Sequence, residues 1–463
     1  MAMLDLKPDF YNDKAAISMA ITVDASYEQS TLQKMALALF GLGLLLFLVS
    51  FLGLGKTYPL PLFLGAMGAM GVGGFLYAYE AYKNRPEGIK NNGVMFGNLT
   101  NRGAVAWVAA VFITGFYVLL YWHAHLLEGL IRMMDPLSFF LKGKAANEWF
   151  LYGFLYTLAV LVMGVKFIRK YKHNRYQQIR TVSVMFFQLG FAFLIPAFME
   201  LMNQPEFYFT YFWPLDSYKL RPNWVQDMMS KGGVGMVLLL VSAATTFLVT
   251  PILTFFYGKR WYCSWVCGCG GLAETAGDPF RHLSDKSLKA WRIERWMIYS
   301  VLVLVVIMTL LLWLNSAWQG GVLGGISNGF AQWYGFLIGS MFSGVVGVGF
   351  YPIMGSRVWC RFGCPMAALL GLQQKFFSRF RITTNSGQCI SCGNCSTYCE
   401  MGIDVRAYAQ KGQNIVRASC VGCGICAAVC PRGVLKLENG PTNNRTVIHI
   451  RRDDVGIIDN SVY

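Results

Sequence analysis

Eight apolar stretches dominate this chain, at about 35–55, 58–79, 104–127, 148–168, 181–202, 233–257, 296–318 and 333–355. A helix needs roughly 20 mostly apolar residues to cross a bilayer. Hydrocarbon offers backbone N–H and C=O groups no partner, so the crossing segments must satisfy their own hydrogen bonds as helices. The expected fold is therefore a polytopic α-helical membrane protein with about eight transmembrane helices. Composition agrees. Only 14% of residues are charged, against about 25% in soluble proteins. The 55% hydrophobic content excludes a disordered chain, which lacks apolar residues to bury. Residues 1–34 carry Asp5, Asp9, Asp13 and Glu28. A secretory signal starts with a short basic region instead, so residues 35–55 are expected to remain as a helix behind a cytoplasmic N-terminal segment.

The net charge is +16, from 40 Lys and Arg against 24 Asp and Glu. Nucleic-acid binding is one meaning of such an excess, but its placement favours membrane topology. Residues 169–180 hold Arg169, Lys170, Lys172, Arg175 and Arg180, and residues 258–295 hold Lys259, Arg260, Arg281, Lys286, Lys289, Arg292 and Arg295. Residues 81–103 are also basic, and the alternate connections are poorer. Positive loops stay in the cytoplasm. The chain is thus expected in a bacterial inner membrane with both termini inside, in contact with the lipid bilayer and with no nucleic-acid partner. Within 281–295, Leu288, Trp291 and Ile293 alternate with cations, which suits an amphipathic helix on an anionic leaflet.

Of 13 cysteines, eight lie between Cys389 and Cys430. Residues 389–399 read C-I-S-C-G-N-C-S-T-Y-C and residues 420–431 read C-V-G-C-G-I-C-A-A-V-C-P. Both are C-x2-C-x2-C-x3-C, the spacing in which three thiolates wrap a cubane cluster and the fourth reaches the other cluster. The expected ligands are Cys389, Cys392, Cys395 and Cys430 for cluster one, and Cys420, Cys423, Cys426 and Cys399 for cluster two. Structural zinc is the alternative for C-x2-C pairs, disfavoured by two complete four-cysteine runs. The tail resembles a bacterial two-cluster [4Fe-4S] ferredoxin over roughly residues 385–436. Pro431 follows the last cysteine of the second run, whereas Glu400 follows that of the first. An acid beside Cys399 is expected to lower the potential of the adjoining cluster.

A second pattern occurs twice. Residues 258–267 read G-K-R-W-Y-C-S-W-V-C and residues 355–364 read G-S-R-V-W-C-R-F-G-C, each after an apolar stretch. This implies an internal duplication. A C-x3-C pair on a helix puts both thiols on one face. Two such pairs brought together supply four ligands: Cys263, Cys267, Cys360 and Cys364 are expected to hold one further iron–sulfur centre at the membrane edge, with Cys269 as a spare. The alternative is free thiols packed as small apolar side chains.

With these motifs the chain resembles the membrane polyferredoxins of nitrate-reductase and nitrous-oxide-reductase accessory type, over roughly residues 233–436. That family combines C-x3-C-P motifs after membrane helices with a cytoplasmic double ferredoxin, and relatives serve in cytochrome oxidase assembly. Cys360 to Pro365 matches its motif fully; in the other copy Gly268 stands in place of proline and Cys269 is added. The resulting division is an N-terminal segment 1–34, a membrane domain 35–232 without an assigned role, a membrane domain 233–382 with the matched C-x3-C motifs, a double [4Fe-4S] ferredoxin domain 383–440, and a tail 441–463.

Haem b needs histidines on two facing helices. Only the third stretch offers any, His123 and His125, and positions i and i+2 point to different faces, so haem is not expected. These histidines, Glu128 and Glu200 suit the outer layer beside a quinone head. The aromatic connection 203–223 is read as an interfacial flap, a partner surface or a quinone entrance. No nucleophile, partnered general base or substrate pocket is identifiable. The expected function is electron transfer between a quinone pool or partner redox subunit and cytoplasmic [4Fe-4S] clusters, as a subunit of a larger redox complex with possible quinol dehydrogenase activity. The alternative is a redox-active assembly or regulatory factor for a respiratory metalloenzyme.

Overall fold

A computed structural model describes residues 29–83, 99–320 and 324–440. The expectations for most of the N-terminal segment, for most of the basic connection 81–103 and for the tail 441–463 lie outside these residues. Among the described residues, seven helices are long and apolar enough to cross a membrane. They are α1 (Thr31–Phe51), α2 (Pro59–Lys83), α3 (Ala104–Trp122), α4 (Glu148–Lys170), α5 (Arg175–Leu201), α6 (Gly232–Tyr257) and α7 (Leu288–Ala317). Polar N-caps start several of them: Ser30, Asn147, Asn174 and Ser287 each accept a backbone N–H of the first turn, which satisfies donors the helix itself cannot. The large apolar side chains left on the outside, such as Phe112, Val108 and Val111 on α3, face where lipid belongs.

The eighth stretch is helical too, and we label it α8: Gly324–Tyr334 runs on into a π-helical turn sequence, Gly335–Val346. Asn328, Gln332 and its glycines make it less apolar than the other seven. π-Helical segments also interrupt α5 (Phe187–Leu194) and α6 (Thr245–Val249). Such segments gather at functional sites. Here α6 and α8, the two that carry a C-x3-C motif at their ends, both have one.

After α8 the chain forms α9 (Pro365–Phe377) and then a small C-terminal unit. In it β1 (Phe380–Thr384) pairs antiparallel with β2 (Leu435–Asn439), Ile382 opposite Leu437. Two one-turn helices, Asn394–Thr397 and Ile425–Ala428, each start from a left-handed glycine, Gly393 and Gly424. This matches the two-fold repeat expected of the cysteine runs. One continuous core joins the unit to the membrane body: Cys263, Cys267, Cys360 and Cys364 share it with Ile382, Cys395, Cys420 and Cys426.

Several cations counted above as topological are structural instead. Arg180, Arg281 and Lys259 are fully buried. Among 281–295 only Lys289, Arg292 and Arg295 are exposed cations, so the amphipathic surface is confined to the first turns of α7.

Connection 203–223 does not lie flat on an outer surface. It folds back among the helices until Phe212 packs on Tyr262, ring centroids 5.0 Å apart, and Tyr262 Oη donates to Thr210 O at 2.7 Å. Buried irregular backbone is tolerated only where protein satisfies its polar groups. Lys219 does so, donating to Tyr208 O at 2.5 Å and also to Tyr211 O. The aromatic richness therefore reflects burial against the first C-x3-C motif. The acids expected near a quinone head are ion-paired: Glu128 with Lys56 at 2.6 Å, and Glu200 with Lys144 at 3.1 Å.

Candidate iron–sulfur centres

The two cysteine runs close on two separate pockets. One is lined by Cys389, Cys392, Cys395 and Cys430. The other is lined by Cys399, Cys420, Cys423 and Cys426. The fourth cysteine of each run has thus crossed to the other pocket, the pairing that the spacing predicts. The crossing follows from local geometry. The one-turn helix that holds each third cysteine carries the chain away from its own loop and delivers the fourth thiol to the neighbour.

Among the described residues, no three His, Cys, Asp or Glu side chains converge as ligands of a single ion would. Four thiols around one pocket suit an inorganic core with one thiolate at each corner. The pockets differ in exposure. In the second pocket Cys420 and Cys426 are buried, whereas in the first only Cys395 is, and Ile390, beside Cys389, is 53% exposed. A buried thiol resists losing its proton to water; metal binding removes that proton outright.

The C-x3-C motifs are superimposable in kind. Each opens on a glycine with positive φ, Gly258 at +66° and Gly355 at +94°. A Cβ at Gly355 would meet Ser284 N at 2.9 Å, so both conformation and space require glycine there. A short helix follows, Arg260–Cys263 or Val358–Phe362. It stops before the second cysteine. Cys267 and Cys364 are extended and act as N-caps of the next helices, Gly268–Glu274 and α9. The expected shared helical face is therefore wrong. Pro365 disfavours helical backbone at Cys364, and Cys364 Sγ accepts Ala367 N–H at 3.3 Å. The outcome still serves the purpose, because all four thiols are buried in one core. Cys269 also belongs to the group: its hydrogen bond to Cys267 lowers that thiol to about 7. The group packs against α5. A Cβ on Gly268 would lie 2.5 Å from Gln188 Oε1, and Gln188 is at the midpoint of α5.

A buried charge network lies between these thiols and the second pocket. Arg357 reaches Glu274 Oε1 at 2.6 Å and Glu400 Oε1 at 2.9 Å. Arg281 holds Glu400 Oε2 at 2.6 Å and Asp278 at 2.7 Å. Arg180 also pairs with Glu274, and Lys170 with Asp278 at 2.6 Å. Arg357 Nη1 approaches Cys360 Sγ at 3.6 Å. Burial works against the Glu400 charge, but Arg281 and Arg357 outweigh it and hold the carboxyl below its ordinary value. Glu400 is thus a neutralised partner rather than a bare acid beside Cys399, which removes the reason for expecting it to lower a potential. This network is the feature that sequence reasoning missed. Its only local sign was the arginine repeated three residues before the first cysteine of each C-x3-C pair, Arg260 and Arg357, and Arg260 does not join it.

Further bonds fix the C-terminal unit. Ser264 Oγ donates to Glu274 Oε1 and Val421 O, Gln374 Nε2 donates to Arg417 O and Cys420 O, and Gln177 Nε2 donates to Cys423 O. A unit held this way keeps its distance from the C-x3-C thiols constant.

Known families match both thiol regions. A 4Fe-4S dicluster domain matches residues 388–435. A 4Fe-4S binding domain matches twice, over 239–287 and 335–383, so each copy contains one C-x3-C motif. The chain is a helical membrane protein carrying 4Fe-4S domains, which supports an iron–sulfur electron-transfer family. Among curated proteins, the putative electron transport protein YccM of Escherichia coli (strain K12) is 27% identical over 191 residues, 35% of this chain and 48% of that protein. The chain spans about half the length of this curated relative. No solved structure matches.

Proposed function

We propose that the chain relays single electrons between a quinone pool or partner redox subunit and [4Fe-4S] clusters on the cytoplasmic side of a bacterial inner membrane, as a subunit of a larger redox complex. The observation that carries this reading is the crossed assembly of eight thiols around two pockets. Cys389, Cys392, Cys395 and Cys430 would hold one cluster and Cys399, Cys420, Cys423 and Cys426 the other. Cys263, Cys267, Cys360 and Cys364 would hold a third, with Cys269 in reserve. Such clusters supply one-electron chemistry when bound. The residues around them supply position, charge balance and exclusion of water. Lys259, fully buried, and Arg357 place positive charge beside the C-x3-C thiols, as a site built for bound thiolates needs. The gradient of burial, from the C-x3-C core outward to exposed Ile390, supports the C-terminal surface as the end that meets a soluble or membrane-bound partner. Crossing by α8 and a cytoplasmic C-terminal unit are parts of the same proposal, supported by the exposed cations of 169–175 and 289–295.

The test is anaerobic mixing of the purified protein with a quinol analogue. Bleaching of its visible charge-transfer absorption on a turnover timescale is expected. Bleaching by dithionite but not by any quinol removes quinone from the relay, and leaves a partner subunit as donor.

A further inference from the structure

A cavity of about 230 Å³ opens between the first turns of α7, the end of α9 and the loop before Cys420. Its lining is strongly unbalanced in charge. Lys259, Arg295, Lys375 and Arg417 are its cations, and Glu294 is its one carboxylate. Glu294 is already neutralised by Arg361 at 2.7 Å. Lys259 is fully buried at the back and donates to Ala418 O at 3.0 Å, with no carboxylate partner among the described residues. Arg295 and Arg417 both stack on the Trp291 ring, at 4.8 and 4.7 Å from its centroid. Two guanidinium groups are thereby gathered on one indole with no acid paired to either among the described residues, a concentration of positive charge that a bound anion relieves.

The surroundings say what kind of anion. Arg295 and Lys375 are exposed at the mouth. Next to them in the chain stand Trp296, 78% exposed, and Phe376 and Phe377, 64% and 70% exposed. Trp296 is on the part of α7 where its polar first turns give way to the apolar span. Exposed aromatic rings beside cations mark the headgroup layer of a bilayer, and basic pockets beside spanning helices bind anionic headgroups. A soluble anion would need the charges but not the ring of exposed aromatic side chains.

We propose that this cavity binds the phosphate-bearing headgroup of an anionic phospholipid, with Arg295, Arg417 and Lys375 on the phosphate and the acyl chains running past Trp296 and Phe376. Lys259 extends the site towards Cys360, which also lines it. A lipid seated there fastens the C-terminal unit to the membrane body at the junction of α7 and α9.

The experiment uses the full-length purified protein in nanodiscs and measures lipid retained after detergent exchange by native mass spectrometry. Wild type is expected to retain phosphatidylglycerol over phosphatidylcholine by about tenfold, given the attraction of several cations near the surface. Arg295→Gln with Arg417→Gln is expected to abolish that preference while iron per chain stays unchanged, which shows that the fold survives. Lys289→Gln with Arg292→Gln, exposed cations that do not line the cavity, is expected to keep it. Equal retention of both lipids by wild type overturns the proposal, as does a preference that survives the Arg295/Arg417 variant. Inorganic phosphate that displaces the lipid at millimolar concentration and protects Trp291 fluorescence equally well keeps the anion site but overturns a lipid as its source.

Discussion

Cys263→Ser combined with Cys360→Ser is expected to lower the iron content from about twelve atoms per chain to about eight, with sulfide falling in step. Serine nearly preserves volume and keeps a hydrogen-bonding group, so packing changes little. What it removes is a soft thiolate from each half of the repeat. The four C-x3-C thiols are buried in one core, and burial pushes Cys263 up to about 12. Thiols serving only as small apolar side chains would tolerate the change with the iron count untouched. That outcome, seen with intact absorption from the C-terminal unit, would remove the third centre. Cys269→Ser is the informative companion, since its contact with Cys267 makes it the residue able to take over a vacated corner.

Glu400→Gln is the substitution expected to damage the fold most. Two arginines from distant parts of the chain meet on this carboxylate, and all three side chains are fully buried. Removing one member of a buried pair leaves a charge without its partner and costs about 3–5 kcal/mol. In a protein of this size that lowers the melting temperature by about 3–5 °C, read as earlier thermal loss of cluster absorption. Glu128→Gln breaks an exposed pair with Lys56, where solvent screens the charge, and is expected to leave the transition in place. A Glu400→Gln protein that melts normally but shows a shifted reduction potential would mean that Glu400 acts as a bare charge on the cluster after all.

These two substitutions sit on opposite sides of what the sequence made legible. The eight ferredoxin cysteines and their crossed pairing were readable because the spacing within each run decides them; nothing distant is needed. The apolar stretches were readable for the same reason, since length and composition alone define them. Helix continuity through C-x3-C was misjudged because spacing gives periodicity only where the helix persists, and Pro365 and the extended backbone at Cys267 end it. The place of 203–223 was misjudged because aromatic residues suit both a headgroup layer and a buried re-entrant loop; the contact with Tyr262 that distinguishes them is long-range. The charge network was hidden for a further reason. Arg180 and Arg281 look topological on their own, Arg357 looks like part of a repeated motif, and only the fold shows that Glu274, Asp278 and Glu400 meet them.

The account rests on inorganic iron–sulfur cores held by the cysteines of 389–430. The most direct measurement is low-temperature EPR of the anaerobically purified, dithionite-reduced protein, taken with metal analysis of the same sample. Two cubanes held side by side in one small unit predict a brown protein and a broadened, spin-coupled spectrum, with at least about eight iron atoms per chain. A colourless protein that contains zinc and gives no EPR signal on reduction would contradict it.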